Sequence, residues 1–239
     1  MIKHDFSKIN GLLCVILFGS AARGDGDEYS DVDIFLLVDN IPQESIDQIT
    51  ETVKSKLGYP NIGISLYRKD IYNKLLLDGS MFLWHLKLEG KFIYVKENIV
   101  LFEHLQPFTN FSKNLITYKN LYIQTTKSLK LNGINAFDLS QLFFICRNIC
   151  LLTCFKLGYP TFGRLTVYSK LTECINFTPL DWSNYIYLSE WRLNYTRGAG
   201  RNVKYPTEDE LLKLLEQIDA LMNICKRIIR GEDTYEQIR

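Results

Sequence analysis

The first hundred residues alternate between short apolar runs and longer segments whose apolar residues lie three or four positions apart. Short runs bounded by Gly, Pro or charged residues are typical of buried strands, and the longer spacing is typical of helices. The pattern therefore predicts four strands, at 12–18, 31–38, 62–67 and 92–95, and two helices, at 44–57 and 69–88.

After about residue 105 the spacing of apolar residues is helical throughout. The last helix has the clearest ends, because Thr207 and Glu210 form a capping-box pattern and Gly231 follows the apolar stripe. No Pro-, Gly- or Ser-rich linker separates the two halves. We predict an α+β chain in which a small mixed β-sheet domain at 1–105 is followed by an α-helical bundle domain at 106–239. The first helices of the bundle are predicted at 115–131, 136–157 and 179–193, and the last lies between the capping box at 207–210 and Gly231, with its apolar stripe at 211–229.

The composition is that of a globular protein that can bury a core. Of the 239 residues 46% are hydrophobic and 23% are charged, and the net charge is +1. This balance argues against disorder and against a nucleic-acid partner held by bulk charge. The charge is unevenly divided, however: residues 1–106 hold 11 basic and 15 acidic side chains, and residues 107–239 hold 17 and 12. The two domains are therefore expected to have different roles.

The six cysteines lack the spacing of a zinc site. Cys146, Cys150 and Cys154 fall on one helical stripe, which favours buried thiols in a reducing cytoplasm over metal ligands. The apolar run at 12–18, preceded by lysines and followed by small residues, imitates a secretory signal, but a buried strand explains it as well. No run reaches the roughly 20 apolar residues of a membrane span, so a cytoplasmic protein is predicted.

Two carboxylates stand out at the start of the second predicted strand. Asp31 and Asp33 are two residues apart, so their side chains would leave the same face of an extended chain with Cα atoms about 6.6 Å apart. Hard oxygen ligands at this spacing suit Mg²⁺, which takes its other ligands from water and phosphate. The alternative is that both aspartates only terminate a turn before the strand.

The preceding turn has residues that suit phosphate. Gly19 permits close approach of the backbone, and the amides that follow it and the Ser20 hydroxyl can bind phosphate oxygens. Arg23 could neutralise phosphate, or it could form an ion pair at the surface. Ser30 could contribute to the same site or simply cap the turn.

The pattern Gly-Ser-x-x-Arg-Gly-x5-Ser-Asp-x-Asp at residues 19–33 resembles the signature of the polymerase-β-type nucleotidyltransferases in their small bacterial form. Residues 78–90 resemble the same domains, and residues 147–148 and 160–164 resemble the helical half that often follows them. The resemblance implies Mg²⁺-dependent transfer of a nucleoside monophosphate from a nucleotide triphosphate, such as ATP, to an acceptor. It implies two Mg²⁺ ions held by Asp31 and Asp33 as catalytic residues when nucleotide is bound. The implied nucleotide-binding residues are Gly19, Ser20, Arg23 and Ser30.

The sequence departs from the family pattern in one respect. The family usually supplies a third metal-binding carboxylate from the next strand of the sheet, but the corresponding positions here are Gly63 and Ser65. Asp70 lies beyond that strand, where it more naturally begins a helix. An alternative function is therefore a catalytically impaired nucleotide-binding protein or an antitoxin-like regulatory protein.

The basic second half bears on the partners. A cleft walled by a positively charged domain disfavours a polycationic acceptor such as an aminoglycoside, so an anionic or neutral acceptor is expected. The arginines of residues 191–201 form either a triphosphate cradle or the solvated end of a helix. His85 lies among apolar residues and is expected to be a packing residue. A homodimer or a protein partner is compatible with the sequence.

Overall fold

The computed structural model describes residues 5–177 and 179–232. Its contacts divide the chain into two compact units, Met1–Thr109 and Asn110–Arg239. The first unit contains a four-stranded sheet and the second contains helices, which confirms the predicted α+β class. In the first unit the elements are β1 Leu12–Phe18, α1 Gly19–Arg23, β2 Val32–Val38, α2 Gln43–Leu57, β3 Ile62–Arg68, α3 Lys69–Leu77, α4 Met81–Glu89 and β4 Lys91–Val95. In the second they are α5 Phe111–Asn132, α6 Ala136–Lys156, α7 Thr166–Ile175, α8 Trp182–Arg197 and α9 Glu208–Arg230.

The sheet is mixed, with the strand order β3-β2-β1-β4. β2 pairs antiparallel with β1 and parallel with β3, and β4 pairs antiparallel with β1. The two central strands are apolar on both faces because each face is covered by helices. Ile34 and Leu36 pack with α2 on one face, and Phe35 and Leu37 pack with α3 and α4 on the other. The end of β2 that begins at Val32 is thereby held firmly in the sheet.

The single helix predicted at 69–88 is wrong, because the structure has two helices there. α3 ends at Leu77, and residues 78–80 separate it from α4. Gly79 has φ +62°, and a Cβ at this position would lie 2.3 Å from the Pro107 carbonyl oxygen. The break thus depends on a close backbone contact with a distant segment, and the local apolar spacing does not reveal it. The sequence pattern did not predict α1 or α7, and α8 starts at Trp182 and not at the predicted residue 179.

The helical unit is built around α6. This helix is long and apolar enough to span a membrane, but 72% of its most apolar 18-residue stretch is buried in the structure. Packing in the protein core therefore explains its apolar composition. Its cysteine stripe is buried as predicted, and Cys225 of α9 is buried too. Burial raises the pKa of the Cys146 and Cys154 thiols, which keeps them protonated.

The predicted capping box is confirmed at the start of α9, where Thr207 Oγ1 accepts from the Glu210 N–H and the Glu210 carboxylate accepts from the Thr207 N–H.

Candidate active site

The end of β1 brings Gly19 into contact with Asp33. Phe18, the last residue of β1, pairs with Asp33 of β2, so the next residue, Gly19, begins α1 directly beside that carboxylate. Gly19 has φ +69°, and a Cβ built on it would lie only 2.3 Å from Asp33 Oδ2. Only glycine adopts this positive φ readily and also lies this close to Asp33 without displacing the carboxylate.

The two predicted aspartates lie at the open end of β2. Asp31 immediately precedes the strand and is exposed, and Asp33 is its second residue and is half-buried. The Val32 N–H donates to the Asn61 carbonyl (2.8 Å), which starts the parallel pairing with β3. The backbone that carries Asp33 is therefore fixed by pairing with both β1 and β3, and Asp31 lies one residue before the strand.

The loop from α1 to β2 brings the two predicted serines near one residue, Gly26. A Cβ on Gly26 would lie 3.5 Å from Ser20 Oγ and 3.6 Å from Ser30 Oγ. The Ser30 hydroxyl donates to Asp27 Oδ1 (2.9 Å) and accepts from the Asp27 N–H (2.9 Å), so Ser30 does cap the turn. Ser20 lies in α1, and its carbonyl accepts from the N–H groups of the loop residues at 24 and 25. The hydroxyls of Ser20 and Ser30 thus both lie close to Gly26, although the two residues are at opposite ends of the loop.

Arg23 forms ion pairs with carboxylates on two elements. Its Nε lies 3.1 Å from Asp25 Oδ2, and its Nη1 lies 2.8 Å from Glu89 Oε2 at the end of α4. Burial opposes the charge of both Arg23 and Glu89, but the other interactions together outweigh it. The hydrogen bonds and charges of Asp25 and Glu89 raise the pKa of Arg23, and those of His85 and Arg23 lower the pKa of Glu89. Glu89 was not predicted as a site residue, although its four-residue spacing from His85 on α4 was a usable signal. His85 packs edge-on against Phe18 (5.7 Å between ring centroids), as expected for a packing residue.

The position expected to carry a third carboxylate does face Asp33, and it is a glycine. Gly63 of β3 pairs with Asp33, and a Cβ on Gly63 would lie 3.2 Å from Asp33 Oδ1. Within residues 5–177 and 179–232, no three His, Cys, Asp or Glu side chains are placed to hold one ion. Asp31 and Asp33 suit one Mg²⁺ that arrives with a triphosphate, since Mg²⁺ commonly takes one or two carboxylates and substrate phosphates. A second ion would receive no third carboxylate from the described residues.

Arg192, in the helical unit, has no carboxylate partner among the described residues. Arg192 of α8 donates to Ser140 Oγ (3.2 Å) and lies over the Phe144 ring at 5.3 Å. Burial and the nearby charge of Arg197 lower the pKa of Arg192. Arg201, in contrast, is paired with Glu190 at 2.6 Å. Residues 191–201 therefore contain one arginine that is paired with a carboxylate, Arg201, and one that is not, Arg192.

The mixed sheet thus carries a glycine turn against an aspartate at the end of its central strand pair. Residues 1–104 match the family model described as a nucleotidyltransferase domain. The first unit of this chain is therefore similar to nucleotidyltransferase domains over residues 1–104.

Individual proteins show more limited similarity. A protein of Methanocaldococcus jannaschii that carries a provisional name as a protein adenylyltransferase is 51% identical over 37 residues, which is 16% of this chain and 25% of that protein. The match thus spans about a quarter of the length of this curated relative.

Three solved structures are similar at low identity. A spectinomycin adenyltransferase, AAD(9), from Enterococcus faecialis, solved with ATP and spectinomycin, has a TM-score of 0.49 at 15% identity, covering 91% of this chain and 92% of that one. A mutant of the toxin–antitoxin MntA–HpeT has a TM-score of 0.28 at 18% identity, covering 51% and 86%. A nucleotidyltransferase-like protein from Exiguobacterium sibiricum has a TM-score of 0.37 at 10% identity, covering 97% and 73%.

Proposed function

We propose that this protein is an Mg²⁺-dependent nucleotidyltransferase that moves a nucleoside monophosphate from a nucleotide triphosphate to an acceptor. The observation that carries the proposal is the contact of Gly19 with Asp33 inside a unit that is similar to nucleotidyltransferase domains. The glycine leaves the turn backbone beside a carboxylate, so phosphate-binding and metal-binding groups lie at one end of β2.

The residues of this group have two roles in the proposed reaction, phosphate binding and metal binding. The Ser20 hydroxyl and the amides after Gly19 bind phosphate oxygens, and Asp31 and Asp33 hold the Mg²⁺ that accompanies them. Bound Mg²⁺ neutralises charge on the triphosphate and makes its α-phosphorus more electrophilic. The acceptor oxygen bonds to the α-phosphorus as the bond to the β-phosphate bridge breaks, pyrophosphate leaves, and the acceptor proton passes to solvent. The contribution of the chain is mainly positioning and charge neutralisation.

The acceptor is proposed to be anionic or neutral. The helical half carries the excess of basic residues, and Arg192 has no carboxylate partner within the described ranges. A polycation near such a surface loses affinity through like-charge repulsion. A protein hydroxyl, a phosphorylated metabolite and a nucleic-acid end all satisfy this requirement, and the name of the archaeal relative motivates the first of them. We also propose that the protein acts in the cytoplasm, as a homodimer or with a protein partner.

The proposal predicts that the full chain binds ATP or another triphosphate in the presence of Mg²⁺ or Mn²⁺, measurable by calorimetry. It predicts pyrophosphate release when a suitable acceptor is added. In an acceptor panel, kanamycin and streptomycin should give no release above the rate with water alone. Failure to bind any of the common nucleotide triphosphates would show that the proposed function is wrong. Release with aminoglycosides would contradict only the acceptor proposal.

A second candidate function is supported by Gly63. A domain that binds nucleotide without turnover, or regulates a protein partner, needs no third carboxylate, and the residue facing Asp33 on β3 has none. This candidate is favoured if the protein binds a triphosphate but releases no pyrophosphate with any acceptor.

Gly63→Asp tests the role of the missing carboxylate directly. The new carboxylate would lie beside Asp33, and two adjacent carboxylates repel unless a cation lies between them. We expect the thermal midpoint of Gly63→Asp to fall without divalent ions and to recover by several degrees with millimolar Mg²⁺. Gly63→Asn has the same shape without the charge and should show no Mg²⁺-dependent recovery. An equal response of the two variants would mean that position 63 does not take part in metal binding.

A further inference from the structure

Four charged or polar side chains form a network beside the Gly19 turn. Arg23 at the end of α1 contacts Asp25 of the following loop and Glu89 of α4. The Glu89 oxygen that accepts from Arg23 also lies 3.2 Å from His85 Nε2, one turn earlier on α4. We call Asp25, Arg23, Glu89 and His85 the Arg23 network.

Three of the four side chains of the network are mostly buried, and the network is attached to the candidate site, whereas the Asp25 side chain is 39% exposed. The side chains of Arg23, Glu89 and His85 are 19%, 16% and 15% exposed. His85 packs edge-on against Phe18, which pairs with Asp33 and precedes Gly19. The network therefore joins α4 to the same turn that carries the proposed phosphate-binding groups.

α1 requires support of this kind. It has five residues, and a helix this short is unstable on its own because few hydrogen bonds offset the cost of ordering it. Its buried residues are Gly19, which has no side chain, and Ala22, which has a single methyl group. An ion pair with Glu89 supplies an attachment that apolar packing of such small residues cannot.

The same geometry argues against Arg23 as a triphosphate ligand. A phosphate approaching its guanidinium would also approach Asp25 and Glu89, and like charges repel. Arg23 would have to leave Glu89, whose half-buried carboxylate would then lose its main counter-charge. Both effects favour retention of the Arg23–Glu89 ion pair when nucleotide binds.

We propose that Glu89, oriented by His85, is a positioning residue that holds Arg23 and thereby fixes the Gly19–Ser20 turn for the triphosphate. Arg23 acts through this network and does not touch the triphosphate. This inference deepens the proposed function and rests on it, since it assigns how the same site is kept in its binding geometry.

The effect of Glu89→Gln on ATP affinity separates the two roles of Arg23. If Arg23 positions the turn, Glu89→Gln weakens Mg²⁺–ATP binding by about tenfold because the turn loses its attachment. If Arg23 binds phosphate, the same change releases its guanidinium, and ATP affinity stays constant or rises. Glu51→Gln is the matched control, because Glu51 also forms an ion pair, with Lys54 at 2.8 Å, but on the exposed surface of α2. Unchanged or tighter ATP binding by Glu89→Gln, measured by calorimetry on the full chain, would overturn the proposal.

A double-mutant cycle tests the network independently of nucleotide. The double variant Arg23→Gln with Glu89→Gln leaves no unpaired buried charge, so its thermal midpoint should lie well above the value that the two single changes predict by addition. Additive shifts would overturn the network as a structural unit. If the wild-type chain bound no ATP, the proposed function would fail while this coupling would still be measured, so the two failures are distinguishable.

Discussion

Asp33→Asn is expected to reduce nucleotidyl transfer by at least about 1000-fold, which corresponds to roughly 4 kcal/mol of lost transition-state stabilisation. The substitution keeps the size of the side chain and its place opposite Phe18 and Gly63, but it removes the charge proposed to hold Mg²⁺. The measurement is the rate of pyrophosphate release at saturating Mg²⁺ and triphosphate. The fold is expected to remain intact, as judged by the thermal midpoint.

Asp39→Asn is the control for this prediction. Asp39 directly follows Val38 at the opposite end of β2, where its side chain accepts from the exposed Asn40 N–H. It has the same chemistry on the same strand but lies away from the Gly19 turn. Loss of transfer in both variants would indicate a general effect of charge on the protein, and retention of transfer in Asp33→Asn would contradict the assignment of Asp33.

Gly19→Ala is expected to lower transfer by at least about 100-fold and to destabilise the fold by about 1–2 kcal/mol. The energetic cost arises because alanine disfavours the positive φ of this position. The larger functional effect arises because the new methyl group would lie 2.3 Å from Asp33 Oδ2 and must push that carboxylate away. The measurements are the rate of transfer and the thermal midpoint on the same preparation.

Gly24→Ala distinguishes the effect of backbone strain from the effect of displacing the Asp33 carboxylate. Gly24 also has a positive φ, of +82°, but a Cβ there would meet no heavy atom within 4 Å. It should therefore lose a similar amount of stability while keeping most of its transfer activity. If the two alanine variants lose transfer equally, backbone strain in the turn explains the effect and the contact with Asp33 does not.

The predicted order of strands and helices in the first unit agrees closely with the structure because strongly periodic apolar runs specify these elements locally. The break at residues 78–80 could not be predicted, since it depends on the approach of Gly79 to the Pro107 carbonyl. α1 was also missed, because five residues provide too little periodicity to distinguish a helix from a turn.

The candidate site shows the same division between local and long-range information. Its proposed residues could be chosen from sequence because they lie within one short stretch, 19–33, with a recognisable spacing. The ion pair of Arg23 with Glu89 could not, because the two residues are 66 positions apart and belong to different helices. The family resemblance pointed to Gly63 and Ser65 as the positions beside the aspartates, and the structure pairs Gly63 with Asp33 but Ser65 with Phe35.

The antiparallel pairing of β1 with β2 has a consequence for the order in which the protein folds. The two strands are joined by residues 19–31 alone, whereas β1 reaches β4 through pairs such as Leu17 with Lys91, separated by most of the unit. Short connections lose less entropy on closure, so local pairings form faster than distant ones. The β1–β2 pair, with the Gly19 turn and Asp33 already side by side, is therefore expected to assemble before β4 completes the sheet. Hydrogen exchange pulsed during refolding should protect Leu36 amides in β2 before those of Tyr94 in β4.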